Sequence, residues 1–302
     1  MTTTTITADM VKKLREQTGA GMMECKAALT EAGGNFEDAN TILRKRGLAT
    51  AAKKAGRATS EGLIAHRVAP DQSAGTLAEV NCESDFVART PDFQELMAQV
   101  LTAIENAGDA AGDAWLKAPD GPIQTLVAAK IAKLGENMAV SRVVRFAGQG
   151  YVGQYIHLGG KLGVQVELGG VTPAIAAREE LTTLVKEVAM QIAALSPLYV
   201  SRGGVPADVI DRERAIYRAQ MEGSGKPPTV IDKIVEGKLG SFYAQFVLVD
   251  QPSIRDPKQT VTDVVAAANK ALGASVSVTR FARLKVGEAG LWKVFDTEPD
   301  LA

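Results

Sequence analysis

The chain is poor in the residues that most often carry chemistry. Its 302 residues include only 2 histidines and 2 cysteines. Two thiols, Cys25 and Cys82, cannot make a disulfide framework or a four-thiolate metal site. His66 and His157 lie far apart, without ligand spacing. Neither sign of charge is in excess: 34 basic residues face 35 acidic ones, for a net charge of -1. No global field therefore steers the chain toward nucleic acid or an anionic membrane, although a local patch remains open. Long hydrophobic runs are missing too. The most apolar helical stretch, 181–195, contains Lys186 and Glu187 and cannot span a bilayer. The start, Met1 to Ile6, has no basic segment followed by an apolar one, so no secretory signal is expected. These absences point to a cytoplasmic protein without a metal or cofactor.

What is present is an ordinary globular composition, 46% hydrophobic and 23% charged. The length exceeds one domain of ~100–150 residues. Residues 6–47 read as three short helices. Thr7 caps the first, with Ile6 and Val11 placed as a hydrophobic staple. Thr18-Gly19-Ala20-Gly21 breaks it. In the second, Met22, Cys25, Leu29 and Ala32 share a face, which makes Met22 a core residue and Met23 a surface one. Gly33-Gly34 ends it, Asn35 caps the third, and Gly47 is expected to stop that one. Residues 44–60, with Arg44, Lys45, Arg46, Lys53, Lys54 and Arg57 and no acid before Glu61, read as a linker or an extra helix. The basic run invites an RNA reading, but no aromatic is interleaved for base stacking, so a solvated linker is the better account.

From Glu61 the period becomes that of strands. Leu63–Val68 and Gly75–Val80 form a hairpin about Pro70-Asp71-Gln72-Ser73. Then comes the stretch Asn81-Cys82-Glu83-Ser84-Asp85-Phe86-Val87, a turn between a strand and the helix start Thr90-Pro91-Asp92. An aromatic on such a turn either folds into its own core or is offered to a partner. The residues alone leave both open. Helices over 93–104 and 123–134, the latter ended by Gly135, lead to a strand at Met138–Phe146. A second hairpin, Tyr151–Leu158 with Lys161–Leu168, turns at Gly159-Gly160. A helix follows, stopped by Ser196-Pro197. The later strand Ser275–Phe281 is similar to Ser141–Phe146. Two helices, Pro206–Met221 and Thr229–Tyr243, interrupt this unit as an antiparallel hairpin, packed either on its own body or across a homodimer.

Catalytic patterns fail on inspection. Gly225-Lys226 resembles the end of a phosphate loop, but Gln220 stands where its first glycine belongs and Pro227 where Ser or Thr would hold magnesium. Cys82 with Asp85 and a histidine would make a thiol enzyme only if the fold united them; a small core filler is the simpler reading. A binding protein, not an enzyme, is expected. The architecture read from the residues is α+β: a three-helix domain (1–47), a basic linker (48–60), one core subdomain (61–148), a second (149–204 and 244–302), and an inserted helical hairpin (205–243).

Several stretches together resemble the bacterial elongation factor Ts family. Val11–Leu29, with Thr18-Gly19-Ala20-Gly21-Met22-Met23 at its centre, resembles that family's N-terminal signature. Glu79–Ala88 resembles its second. Ile131–Asn137, Tyr155–Val164 and Gln251-Pro252 are similar to later segments. The resemblance implies a nucleotide exchange factor for the GTPase elongation factor Tu, with a ubiquitin-associated-like N-terminal domain. It implies that Asp85 and Phe86, flanked by Ser84 and Val87, wedge beside the partner's magnesium and phosphate site. It places the N-terminal contact on Val11, Lys12, Arg15, Met22 and Met23, and matches His157 to a contact with another domain of the partner. Whether Asp85 bonds the partner or fixes its own loop stays open. Ser84 stands where the family usually has Thr, and both keep a hydroxyl. Gly290–Phe295 matches no family segment, which leaves a C-terminal contact helix in doubt.

Overall fold

The computed structural model describes residues 5–148, 150–157, 159–288 and 295–296. Helix and sheet are mixed, as expected of an α+β chain. Two compact units emerge. One is built on Ala78–Val143 with the chain up to His66 and the short segment that begins at Lys285. The other is built on Val144–Leu284 with Arg67–Leu77.

The first unit starts with α1 (Ala8–Thr18), α2 (Met22–Glu31) and α3 (Phe36–Lys54). Thr7 caps α1 by accepting from the Met10 N–H (3.3 Å), and Asn35 caps α3 by accepting from Glu37 and Asp38. Each such cap is worth ~1 kcal/mol. Val11, Leu14, Cys25, Ala28, Leu29 and Ala39 form the bundle's small core. Two expectations fail here. Met22 is not core but 56% exposed, because Cys25, Ala28 and Leu29 already fill the inward stripe of α2. Nor does Gly47 end the third helix, which runs on to Lys54. Gly47 is buried against α7 (Pro122–Leu134), where a Cβ would lie 3.6 Å from the Ala128 carbonyl oxygen. A methyl group there would make ordinary contact, so Gly47 is an interior helix position, and the following alanines favour helix. Of the presumed linker, residues 48–54 are thus helical.

The strands β1 (Glu61–Val68), β2 (Ala74–Cys82) and β3 (Met138–Ala147) pair in the order β1-β2-β3. Between β2 and β3 lie α4 (Asp85–Ala88), α5 (Pro91–Ala107), α6 (Asp113–Leu116) and α7. Phe93, Leu96, Val100 and Ile104 of α5 recur three and four apart and enter a core with Val80, Cys82, Ile123 and Ile131.

In the second unit, β4 (Tyr151–Ile156) and β5 (Leu162–Gly169) pair antiparallel, with Gly153 opposite Val166. Leu158, expected at the end of the first strand, lies outside the described residues. The helices are α8 (Pro173–Ala176), α9 (Glu179–Leu195), α10 (Ala207–Ala219), α11 (Pro228–Phe246) and α12 (Val261–Leu272). With β6 (Ser277–Lys285) and β7 (Phe295–Asp296) the strand order is β4-β5-β6-β7. Of the unmatched stretch 290–295, residues 290–294 lie outside the described residues. In both sheets the closing strand joins the second strand of a hairpin. Helices α10 and α11 pack on each other through Ile210, Leu239 and Phe242. The ion pairs Arg214–Glu236 and Arg218–Asp232 cross between them.

Candidate functional site

Strand β2 delivers the chain to a rigid tip. Glu79 and Asn81 are buried on it and fully engaged. Glu79 accepts from Arg142 Nε (2.5 Å), Asn81 Nδ2 (2.9 Å) and the Gly287 N–H (2.8 Å). Arg142 also donates to the Lys285 carbonyl (2.5 Å), and Ser141 donates to Asn81 Oδ1 (2.6 Å). A buried ion pair is tolerable only when its remaining valences are met in this way. Gly62 of β1 runs against the same strand with φ of 143°, where a Cβ would fall 2.1 Å from the Val80 oxygen. Only glycine fits that backbone and that approach.

The turn itself is held from below by another turn, Gly135-Glu136-Asn137, between α7 and β3. Gly135 closes α7 in the left-handed region, at φ of 80°. The Glu136 carboxylate accepts from both the Ser84 N–H (3.0 Å) and the Ser84 hydroxyl (2.6 Å). The Asn137 N–H donates to Glu83 Oε1 (2.6 Å), and Asn137 Nδ2 donates to the Arg57 carbonyl (2.8 Å). Lys54, at the end of α3, donates to the Gly135 carbonyl. Ser84 in turn caps α4, accepting from the Val87 N–H (3.4 Å). Thr90 Oγ1 donates to the Val87 carbonyl (2.8 Å) and accepts from the Phe93 N–H (3.2 Å), starting α5.

Phe86 stands on this platform 81% exposed. Its neighbours in α4 do the anchoring: Ala88 is buried and Val87 packs against the core. Asp85 accepts from Arg89 one turn on (3.0 Å), an i,i+4 pair that steadies the short helix. Cys82 is buried, and its thiol donates to the Ser84 carbonyl (3.1 Å). Burial, with the Glu136 and Glu61 carboxylates, pushes that thiol up to about 11. It holds almost no thiolate at neutral pH and serves as a core filler, not a nucleophile.

The α5 start is fixed by charge. Asp92 accepts from Lys133 (2.6 Å) and Lys130 (3.2 Å), and Lys130 also reaches Glu95 (2.6 Å). The Lys133 hydrogen bond, aided by Lys130, holds the Asp92 carboxyl below the usual carboxylate range.

The N-terminal candidates divide by burial. Val11 lies in the bundle's core as the staple requires. Lys12 and Arg15 are exposed on α1, and Lys12 has only a 4.0 Å pair with Glu16. Met22 and Met23 open α2 with 56% and 75% exposure. Ser84, Asp85, Phe86 and Val87 come together on one short helix. His157 belongs to the other unit. There it is exposed at the β4–β5 turn, with Nδ1 2.9 Å from the Tyr155 hydroxyl. Sequence reasoning missed Glu136, Asn137 and Lys54 as supports of the tip. The only signal was that Ile131–Asn137 resembled a family segment. Among the described residues no group of three or more His, Cys, Asp or Glu is placed to hold a metal. No described helix is long and apolar enough to cross a membrane.

This arrangement offers an apolar knob, Phe86, on a clamped turn. A family profile described as Elongation factor TS matches residues 83–288. The Elongation factor Ts of Trichlorobacter lovleyi is 42% identical over 289 residues, spanning 94% of this chain and 93% of that protein. That of Aquifex aeolicus is 42% identical over 292 residues, spanning 93% and 98%. That of Nitratidesulfovibrio vulgaris is 44% identical over 285 residues, spanning 94% and 96%. With more than half of the chain matched by the profile and alignments that run nearly end to end, the chain belongs to the elongation factor Ts family.

Proposed function

We propose that this protein is a guanine nucleotide exchange factor that binds the nucleotide-free state of elongation factor Tu and promotes GDP release in the cytoplasm. The observation that carries this reading is a phenylalanine left 81% exposed on a turn whose every neighbour is tied down. An exposed aromatic on a flexible loop would collapse onto its own surface. One on a clamped turn is available for insertion into a partner. Phe86 acts as the wedge toward the magnesium and phosphate site. Asp85, bonded to Arg89, fixes the wedge. Met22, Met23, Lys12 and Arg15 make the N-terminal contact over the support of Val11, and His157 makes a separate one.

Exchange needs no covalent step. The factor must bind the empty GTPase more tightly than the loaded one, and it then weakens nucleotide by the same factor. An RNA-binding adaptor is the weaker reading. Within the basic stretch, Arg46 and Arg57 pair with Glu31 and Glu83, and Lys54 donates to the Gly135 carbonyl, which lowers the positive charge left for phosphates. The test is a stopped-flow measurement with elongation factor Tu carrying fluorescent GDP. Adding this protein accelerates release in a saturable manner, and excess GDP with magnesium dissociates the complex. Release that stays at its intrinsic rate at every concentration refutes the proposal.

A further inference from the structure

We propose that Glu136 is a positioning residue of the exchange site, acting on the partner only through the Ser84–Phe86 turn. The inference rests on the exchange reading above and adds a residue that makes no partner contact. Its carboxylate takes both donors of Ser84, the backbone N–H at 3.0 Å and the hydroxyl at 2.6 Å, across 52 residues of sequence. Ser84 is the N-cap of α4, so its placement sets the direction in which the helix, and with it Phe86, leaves the sheet. The adjacent Asn137 holds Glu83 and Arg57, and Gly135 receives Lys54. One three-residue turn therefore joins the end of α3, which is part of the N-terminal bundle, to the root of the tip. Among the described residues, Glu136 is the side chain that holds both the Ser84 N–H and its hydroxyl. Without Glu136 the Ser84 hydroxyl keeps its 3.4 Å bond from the Val87 N–H, and the Ser84 carbonyl keeps those from the Cys82 thiol and the Ala88 N–H. Release would then require ordering the wedge at the moment of insertion, and that ordering costs rate.

The experiment compares Glu136→Ala, Phe86→Ala and the double variant in the fluorescent GDP release assay, each titrated against the GTPase. We expect Glu136→Ala to lower the maximal release rate about tenfold, equivalent to about 1.4 kcal/mol. In the Phe86→Ala background the same substitution has little further effect, because the group it positions is gone. The full chain is used throughout, with its melting temperature recorded. A general loss of structure would slow release by the same factor in both backgrounds, and that result overturns the inference. So does a parental rate for Glu136→Ala beside a slow Phe86→Ala. A parental rate for Phe86→Ala overturns the wedge reading, and this inference with it. Should Glu136→Ala fold poorly, Ser84→Ala removes the hydroxyl end of the same clamp and Ser84→Thr restores it. The first is expected slow and the second parental, and equal rates for the two count against the clamp.

Discussion

Truncating Phe86 to alanine separates stability from exchange. The ring is 81% exposed and belongs to none of the buried clusters, so folding owes it almost nothing. Alanine is a good helix former, and α4 keeps its Ser84 cap, its Asp85–Arg89 pair and the buried Ala88. The expected change in stability is within about 0.5 kcal/mol, a melting shift of less than about 2 °C for a chain of this size. Exchange is another matter. Burying a phenylalanine side chain yields roughly 1.5–3 kcal/mol. At about 1.4 kcal/mol per decade this is roughly one to two decades in affinity for the empty GTPase. By linkage, GDP regains the same factor in the ternary complex. Fluorescent GDP release under saturating exchange protein measures it, with thermal melting as the control. Release equal to the parent's refutes the wedge. A melting temperature lowered by many degrees refutes the claim that the ring is free of the fold.

Three further outcomes follow from the surroundings of the tip. Both cysteines are buried and Cys82 is held far from thiolate, so an aromatic disulfide reagent near neutral pH labels neither until denaturant is added; rapid labelling of the native protein would contradict this. Asp92 titrates below its ordinary range in the folded state because of Lys133 and Lys130, so its contribution is complete above the unfolded pKa of about 3.9 and fades as pH falls through the lower folded value. Asp92→Asn therefore destabilises at neutral pH, and urea unfolding should show that gap closing in acid; a gap independent of pH would remove the charge explanation. Gly62→Ala forces a side chain to within 2.1 Å of the Val80 oxygen at φ of 143° and should cost more than about 2 kcal/mol; a melting temperature unchanged from the parent would show that β1 can shift.

Much of this protein is legible along the chain because its local signals are strong. Thr7, Asn35 and Thr90 are caps whose hydrogen bonds are made within three residues, and Gly135 and Ser196 stop helices by their own backbone geometry. The two hairpins, the α10–α11 pair and the motif about Phe86 also depend on neighbours close in sequence. The reading of Met22 and the end of the third helix failed for a shared reason. Periodicity tells which positions share a face, not how far a small core reaches around the helix, and it cannot tell a glycine that ends a helix from one buried within it against another helix. The supports of the tip were illegible for a plainer cause. Glu136 and Ser84 are 52 residues apart and Arg142 and Glu79 are 63 apart, and no periodicity links partners across such loops. The sequence by itself thus determined the elements, the family resemblance and the aromatic on its turn. Only the tertiary structure decided that Phe86 faces outward on a clamped root, because burial and long-range hydrogen bonding exist only once distant segments pack.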